Sequence, residues 1–435
     1  MALLPLHWFQ ELAVGSLTFA ICLIILWRIH WFRSLGLSVQ FIAAAFGLRI
    51  VAGIVSLGLQ VRLYGGGDAL DYWVASAYLA QLFNKGEVIT YMRMVWGPNV
   101  TPPPPELKPH AFAVDFWKDD GAYLLIRFHA LLRLISQDTL SAHLILYNFL
   151  CLIGMLFLYR CLACQVPDAS VLLRGVLFFY PTALFWTANM HKEGLALAAL
   201  GILLHAVMRP VGQIRFVHLP AAVLAALLCV WLRNFWLLLL LPPLIAWHWI
   251  NLRPQRIGLK YAAVVFAFLA LGFFAAQILW SVTPFQLLAA KQQEFSRLSA
   301  DSRVGSLPVI TNGWITLFKQ LPLALLNSLL EPLPRVGFKV HYTLAFLDNL
   351  FVVGAFLVSL FFYSTRKTIG HRNFFWFAST FSLLLLILIG LTVPFAGAIV
   401  RYKVAASVFV LLAASVLITD RFCKSRACTR RMVEA

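Results

Sequence analysis

Charge is scarce in this sequence: Asp, Glu, Lys and Arg make up only 12% of its 435 residues, and acids are outnumbered by bases, 17 to 35. With 61% hydrophobic residues and a mean hydropathy of +0.84, the scarcity excludes a soluble protein, which could not hide so much apolar surface in one core. Cysteine is sparse as well. Of Cys22, Cys151, Cys161, Cys164, Cys229, Cys423 and Cys428, only Cys161 and Cys164 form a C-x-x-C, and no second pair or nearby His completes a metal site. The cysteines read as small core residues or free thiols, and no metal is expected from them. No H-E-x-x-H pattern surrounds His191. Gly65-Gly66-Gly67 lacks the strand-turn-helix setting of a phosphate-cradling loop, so no nucleotide site is implied. The first apolar run, Leu12 to Trp27, follows Glu11 rather than a basic stretch and precedes no small-residue cleavage site, so it reads as a retained span. The excess of bases gives a formal charge of +18. These bases are spread among loops and form no stripe, which argues against nucleic acid as a partner.

What is present is a series of apolar runs of membrane-spanning length. Spans are expected near 12–31, 38–60, 140–159, 171–189, 193–208, 216–232, 235–250, 261–281, 343–363, 373–394 and 400–419. The fold class is therefore all-α, a polytopic bundle of about eleven spans forming one domain over residues 1–420, followed by a basic tail at 421–435. Two long segments, 61–139 and 282–342, interrupt the series and carry amphipathic pieces expected to lie along the interface or pack back onto the bundle. Alternate loops at 28–37, 160–174, 209–215, 251–260 and 364–372, with the tail, hold 17 Lys/Arg against three acids. The positive-inside rule makes that side cytoplasmic, with the N-terminus outside, the C-terminus inside and both long segments external. Arg421, Lys424, Arg426, Arg430 and Arg431 of the tail suit an anionic inner leaflet.

Several charges stand where topology has no need of them. Gly67-Asp68-Ala69-Leu70-Asp71-Tyr72 puts two carboxylates at a turn beyond the second span. Asp68 and Asp71 read equally as a helix cap with a dipole-favoured acid, or as a general base toward an acceptor hydroxyl. No cofactor is required, although two such acids also suit a divalent cation. Lys192 and Glu193 end the stretch Tyr180 to Glu193, between runs with almost no loop; they read as an interfacial pair or as a phosphate contact with its orienting acid. Arg233, Arg401 and Lys403 fall on the same external side, where short loops normally avoid bases, and a rigidly held guanidinium suits phosphate oxygens. Arg49 lies near the middle of a span and must face the bundle, against an acid such as Asp348, a backbone carbonyl or a bound anion. Arg127, His129 and Arg133 read as the polar face of an interfacial helix over 122–135.

These residues resemble the bacterial polytopic glycosyltransferases of the GT-C class and related envelope-polysaccharide membrane proteins. The likeness lies in the acidic motif of an early external loop (Gly67-Asp68 to Tyr72), the aromatic Pro-x-x-x-Phe-Trp turn followed by a Lys-acid pair (Pro181 to Glu193), and a late Arg-Tyr-Lys (Arg401 to Lys403). The resemblance implies Asp68 or Asp71 as base, with Lys192, Arg401 and Arg233 on the phosphate of a polyprenyl-linked sugar donor. It also implies sugar transfer to a glycan or lipid hydroxyl at the outer face of the inner membrane. One departure from the class is that two spans precede the acidic loop where one is usual. Three rival readings stay open: an Arg-dependent oligosaccharide repeat-unit polymerase, a transporter of the same lipid-linked glycan, and a non-catalytic assembly subunit. The sequence is silent on oligomeric state.

Overall fold

The computed structural model describes residues 8–114, 116–208, 218–280, 282–298, 310, 313–333, 340–363 and 368–419. The basic tail, Cys423, Cys428 and the 209–215 loop lie outside the described residues. In chain order the first helices are α1 (Trp8–Arg28), α2 (His30–Arg33) and α3 (Val39–Tyr64). The first long segment holds α4 (Asp68–Asn84), α5 (Val88–Trp96), α6 (Lys108–Phe112) and α7 (Asp120–Ser136). There follow α8 (Leu140–Gln165), α9 (Ser170–Phe179), α10 (Pro181–Thr187), α11 (Lys192–Val207), α12 (Leu219–Leu252) and α13 (Ile257–Trp280). The chain continues through α14 (Pro284–Leu298), α15 (Trp314–Leu330), α16 (Val340–Leu360), α17 (Ile369–Thr392), α18 (Ala396–Tyr402) and α19 (Val404–Ile418).

This is a multi-pass helical membrane protein. Among the described residues seven helices are long and apolar enough to cross a bilayer, namely α1, α3, α8, α12, α13, α16 and α17, and two bent pairs raise the number to nine. The apolar runs are divided differently from the sequence expectation, for local reasons. The run at 171–189 breaks into α9 and α10, bent by 43°, because Pro181 has no N–H to continue the ladder. The last run breaks into α18 and α19, bent by 48°. The expected spans 216–232 and 235–250 are joined in α12, but Arg233 leaves helical geometry at φ −150°, ψ 71°. A straight helix of that length would reach about 50 Å, against a hydrocarbon core of about 30 Å. The second arm of α12 instead follows α11, from Arg233 beside Glu193 to His248, which hydrogen-bonds the Val207 backbone. α8 and α11 run parallel, since Tyr147 Oη donates to His191 O at 2.5 Å and Gln165 Nε2 to Met208 O at 2.9 Å.

The first long segment packs back onto the bundle. Tyr72, Leu79, Met94, Trp117, Tyr123 and Ile126 form a small core of their own between α4, α5 and α7. The expectation of a polar interfacial face on α7 is corrected here. His129 and Arg133 are buried, Arg133 Nε donates to Ser76 Oγ at 2.9 Å, and Arg127 Nε donates to Met94 O at 3.2 Å. His129 and Arg133 are buried beside the apolar residues of α7 because they find backbone and side-chain partners there.

Those partners include an unwound turn. Between α10 and α11 the backbone is non-helical inside a packed bundle, where unpaired carbonyls are costly. Four side chains satisfy them: Arg49 Nη2 reaches Thr187 O at 2.9 Å, Asn148 Nδ2 reaches Ala188 O at 2.7 Å, His129 Nε2 meets Met190 O at 3.2 Å, and Tyr147 takes His191 O. Asn189 Nδ2 adds a bond to Ser56 Oγ at 2.6 Å. Lys192 and Glu193 follow directly, so this scaffold fixes where they point.

Burial pushes the His129 ring down to about 3, so it stays neutral in the folded protein while the unfolded chain takes a proton near pH 6.5. Its contribution is full above that value and is lost as pH falls below it. Thermal unfolding in detergent is expected to show a midpoint that drops from pH 7 to pH 5, with the drop reduced in His129→Gln. An unchanged slope in that variant would contradict the assignment.

Candidate functional site

Five of the charges singled out in the sequence meet at one end of the bundle, where α3 gives way to the first long segment. Asp68 opens α4, Lys192 and Glu193 open α11, Arg233 stands at the break in α12, and Arg401 closes α18. The chain reaches this point through Gly65, whose φ of 71° caps α3 by returning its N–H to Val61 O; a side chain there would be strained.

The charges form a chain of four, Asp68, Arg401, Glu193 and Arg233, with the Lys192–Asp119 pair beside it. Arg401 Nη1 donates to Asp68 Oδ2 at 2.6 Å, and Arg401 Nε lies 3.4 Å from Glu193 Oε1. Arg233 Nη2 is paired with the same Glu193 oxygen. Lys192 Nζ reaches Asp119 Oδ2 at 3.2 Å. Three carboxylates therefore face three cations, and the exposures are graded: the Glu193 side chain is 1% exposed, Asp68 39% and Asp119 56%. The inner pair is locked, whereas the outer two acids stand on the open side of their cations.

Burial pushes the Asp68 carboxyl up, but the charge and hydrogen bond of Arg401, with His191 and Lys192, outweigh it and hold the group below the ordinary carboxylate value. The Asp119 carboxyl is pushed up by burial and pulled further down by Lys192 and by the Ala122 and Gly121 backbone. Burial takes the His191 ring down to about 4. It lies neutral beside the cluster, with Nε2 3.1 Å from Gln60 Nε2. In the cluster, His191 Nδ1, Arg233 Nε and Arg401 Nε are buried with no hydrogen-bond partner among the described residues. Open donors in a cationic cluster suit an anionic ligand.

Tyr402 links the cluster to an apolar groove. The Arg233 guanidinium lies 4.2 Å from the centroid of its ring and that of Arg401 5.2 Å. The same ring lines a cavity of about 610 Å³ between α12, α14 and α17, with Asn234, Phe235, Leu241, Phe295 and Val393. The Phe295 ring centroid is 6.0 Å from that of Tyr402. The charged cluster thus meets an apolar groove at a single aromatic residue, Tyr402.

Other candidates stand elsewhere. Asp71 is exposed, three residues along α4. Arg49 is not in the cluster; its partner is the Thr187 carbonyl, and Asp348 instead accepts from Tyr180 Oη at 2.7 Å. Lys403 is buried and holds Ser328 O at 2.8 Å and Glu331 O at 3.1 Å, fixing the end of α15 against the α18–α19 junction. Both are positioning residues, one for Lys192 and Glu193 and the other for Arg401. Among the described residues no group of three or more His, Cys, Asp or Glu is placed to hold a metal ion, and Asp68 and Glu193 are each met by a guanidinium.

Two residues of the site were missed in the sequence. Asp119 begins an Asp-Asp-Gly in the middle of the first long segment, caps α7 by accepting from Ala122 N at 2.9 Å, and faces Lys192. Tyr402 sits inside the Arg-Tyr-Lys stretch, where only the bases drew notice. Comparison with protein-family models, with curated proteins and with solved structures finds no match.

Proposed function

We propose that this chain is a membrane glycosyltransferase that moves a sugar from a polyprenyl-phosphate-linked donor to a glycan or lipid hydroxyl, in envelope or exopolysaccharide biosynthesis. The observation that carries the reading is the junction at Tyr402. A phosphate head fits the Lys192, Arg233 and Arg401 end, and an isoprenoid chain fits the apolar groove that begins at the same ring. Neutralising charge on a departing lipid phosphate is the catalytic task such cations serve. In this reading the cluster faces the outer side of a bacterial inner membrane, with the N-terminus outside and the C-terminus inside, an orientation supported by the bias of bases toward the opposite loops. The partners in this reading are a lipid-linked sugar and the bilayer.

One second reading has support from the geometry. Arg401 engages both Asp68 and Glu193, as expected also of an Arg-dependent repeat-unit polymerase that needs no external base. The test is transfer of radiolabelled sugar from polyprenyl-phosphate donors to extracted envelope glycolipids, by protein purified into nanodiscs. The transferase reading expects transfer by the wild type and its loss in Asp68→Asn. Intact joining of sugars in Asp68→Asn moves the assignment to the polymerase, and no transfer by the wild type overturns both.

A further inference from the structure

Asp68 and Asp119 stand where a substrate phosphate would have to go. Each is the more exposed member of its pair, at 39% beside Arg401 at 17%, and at 56% beside Lys192 at 12%. An anion arriving from the open side meets these carboxylates before it meets the cations. A carboxylate and a phosphate offer a guanidinium the same two-oxygen edge, so one can replace the other with little movement of the arginine. The chain is built to let Asp68 leave. It follows Gly65-Gly66-Gly67, with φ of 71°, 155° and 155°, and a Cβ at Gly65 or Gly66 would meet open space. Glu193, by contrast, is fully enclosed, so Arg233 and Arg401 keep a counter-charge when the outer acids move. The unpartnered Arg233 Nε and His191 Nδ1 supply donors that the resting carboxylates leave unused.

We propose that Asp68 and Asp119 are resident counter-ions which a phosphate-bearing ligand displaces from Arg401 and Lys192. The displacement applies to any phosphate monoester or diester headgroup. Its catalytic consequence rests on the transferase reading. Once Arg401 turns to the donor, Asp68 loses the charge that holds its proton affinity down and becomes a competent base. The acceptor O–H then passes its proton to the Asp68 carboxylate as the acceptor oxygen bonds to the anomeric carbon. The bond from that carbon to the phosphate oxygen breaks, and the electron pair leaves on the phosphate, facing Arg401 and Lys192. Products are the glycosylated acceptor and the lipid phosphate, with Asp68 returning its proton to water. The base is armed only when a donor is seated, which protects the donor from idle hydrolysis.

The test is binding of a polyprenyl monophosphate to the full chain in nanodiscs by calorimetry, with inorganic phosphate as a second probe. Removing a resident competitor strengthens binding, so Asp68→Asn is expected to bind the lipid about tenfold more tightly, the equivalent of one charge-assisted hydrogen bond no longer broken. Asp119→Asn is expected to tighten binding several-fold, and inorganic phosphate to rank the proteins in the same order. Weaker or unchanged binding in both variants, with thermal unfolding showing them folded, overturns the proposal and makes the acids struts. Tighter binding without any sugar transfer by the wild type upholds the displacement and removes the transferase reading. Transfer without tightening does the reverse.

Discussion

Glu193→Gln is expected to cost the folded protein about 3–5 kcal/mol, the largest stability effect of any single change in the site, because it leaves a buried charge uncompensated. Glu193 serves Arg233 and Arg401 through one oxygen, and both guanidiniums crowd the Tyr402 ring. With glutamine there, the shape is kept and the shared negative charge is gone, so two cations face each other inside the bundle. Removing one cation as well should restore much of the loss, since replacing both members of a buried pair is far cheaper than breaking it. Thermal unfolding of Glu193→Gln, Arg233→Gln and the double variant forms a cycle that isolates the coupling. A Glu193→Gln protein as stable as the wild type would show that the ion pairs do not organise this end of the bundle.

The largest effect on activity is expected from Arg401→Ala. Arg401 touches Asp68, Glu193 and Tyr402, and so joins the open acid, the buried acid and the groove. Loss of a preorganised donor facing a developing oxyanion lowers turnover by about 10²–10³, and lipid-phosphate binding should weaken with it. Arg401→Lys should recover little, because a single ammonium cannot meet Asp68 through Nη1 and Glu193 through Nε at once. Turnover in the Arg401→Lys protein close to wild type would mean that only a point charge is needed. The fork geometry would then be irrelevant to the reaction.

The charged end of the site was legible in the sequence because its residues break a topological expectation. Lys192, Glu193, Arg233 and Arg401 stand at short turns that the charge bias of the sequence assigns to the side where bases are normally avoided, and Asp68 follows a glycine turn that marks a helix start. The fold brings all of them together. Asp119 was hidden because a long polar segment contains several acids, and nothing local separates the one that faces Lys192 from its neighbours. Arg49 and Lys403 were read as candidate phosphate contacts on equally sound grounds, since an intramembrane cation has either a ligand or a structural partner. Their partners turn out to be backbone carbonyls left open by helix ends at Thr187 and Glu331. Such carbonyls are invisible until the breaks are placed. The division of the apolar runs has the same cause: Pro181 was visible, but the bends at Tyr180 and Lys403 and the non-helical residue Arg233 cut and join runs that hydropathy alone treats as uniform.

The central claim is that the cluster and the groove are one seat for a lipid phosphate. It is tested most directly by photo-crosslinking a polyprenyl monophosphate carrying a diazirine near its headgroup to the protein in nanodiscs, and mapping the labelled peptides by mass spectrometry. The account predicts label on the α12 and α14 residues that line the groove, around Asn234 and Phe295, displaced by unlabelled polyprenyl phosphate and lost in Arg401→Ala. Label spread over the lipid-facing helices α1 and α13, with no competition and no dependence on Arg401, would contradict it.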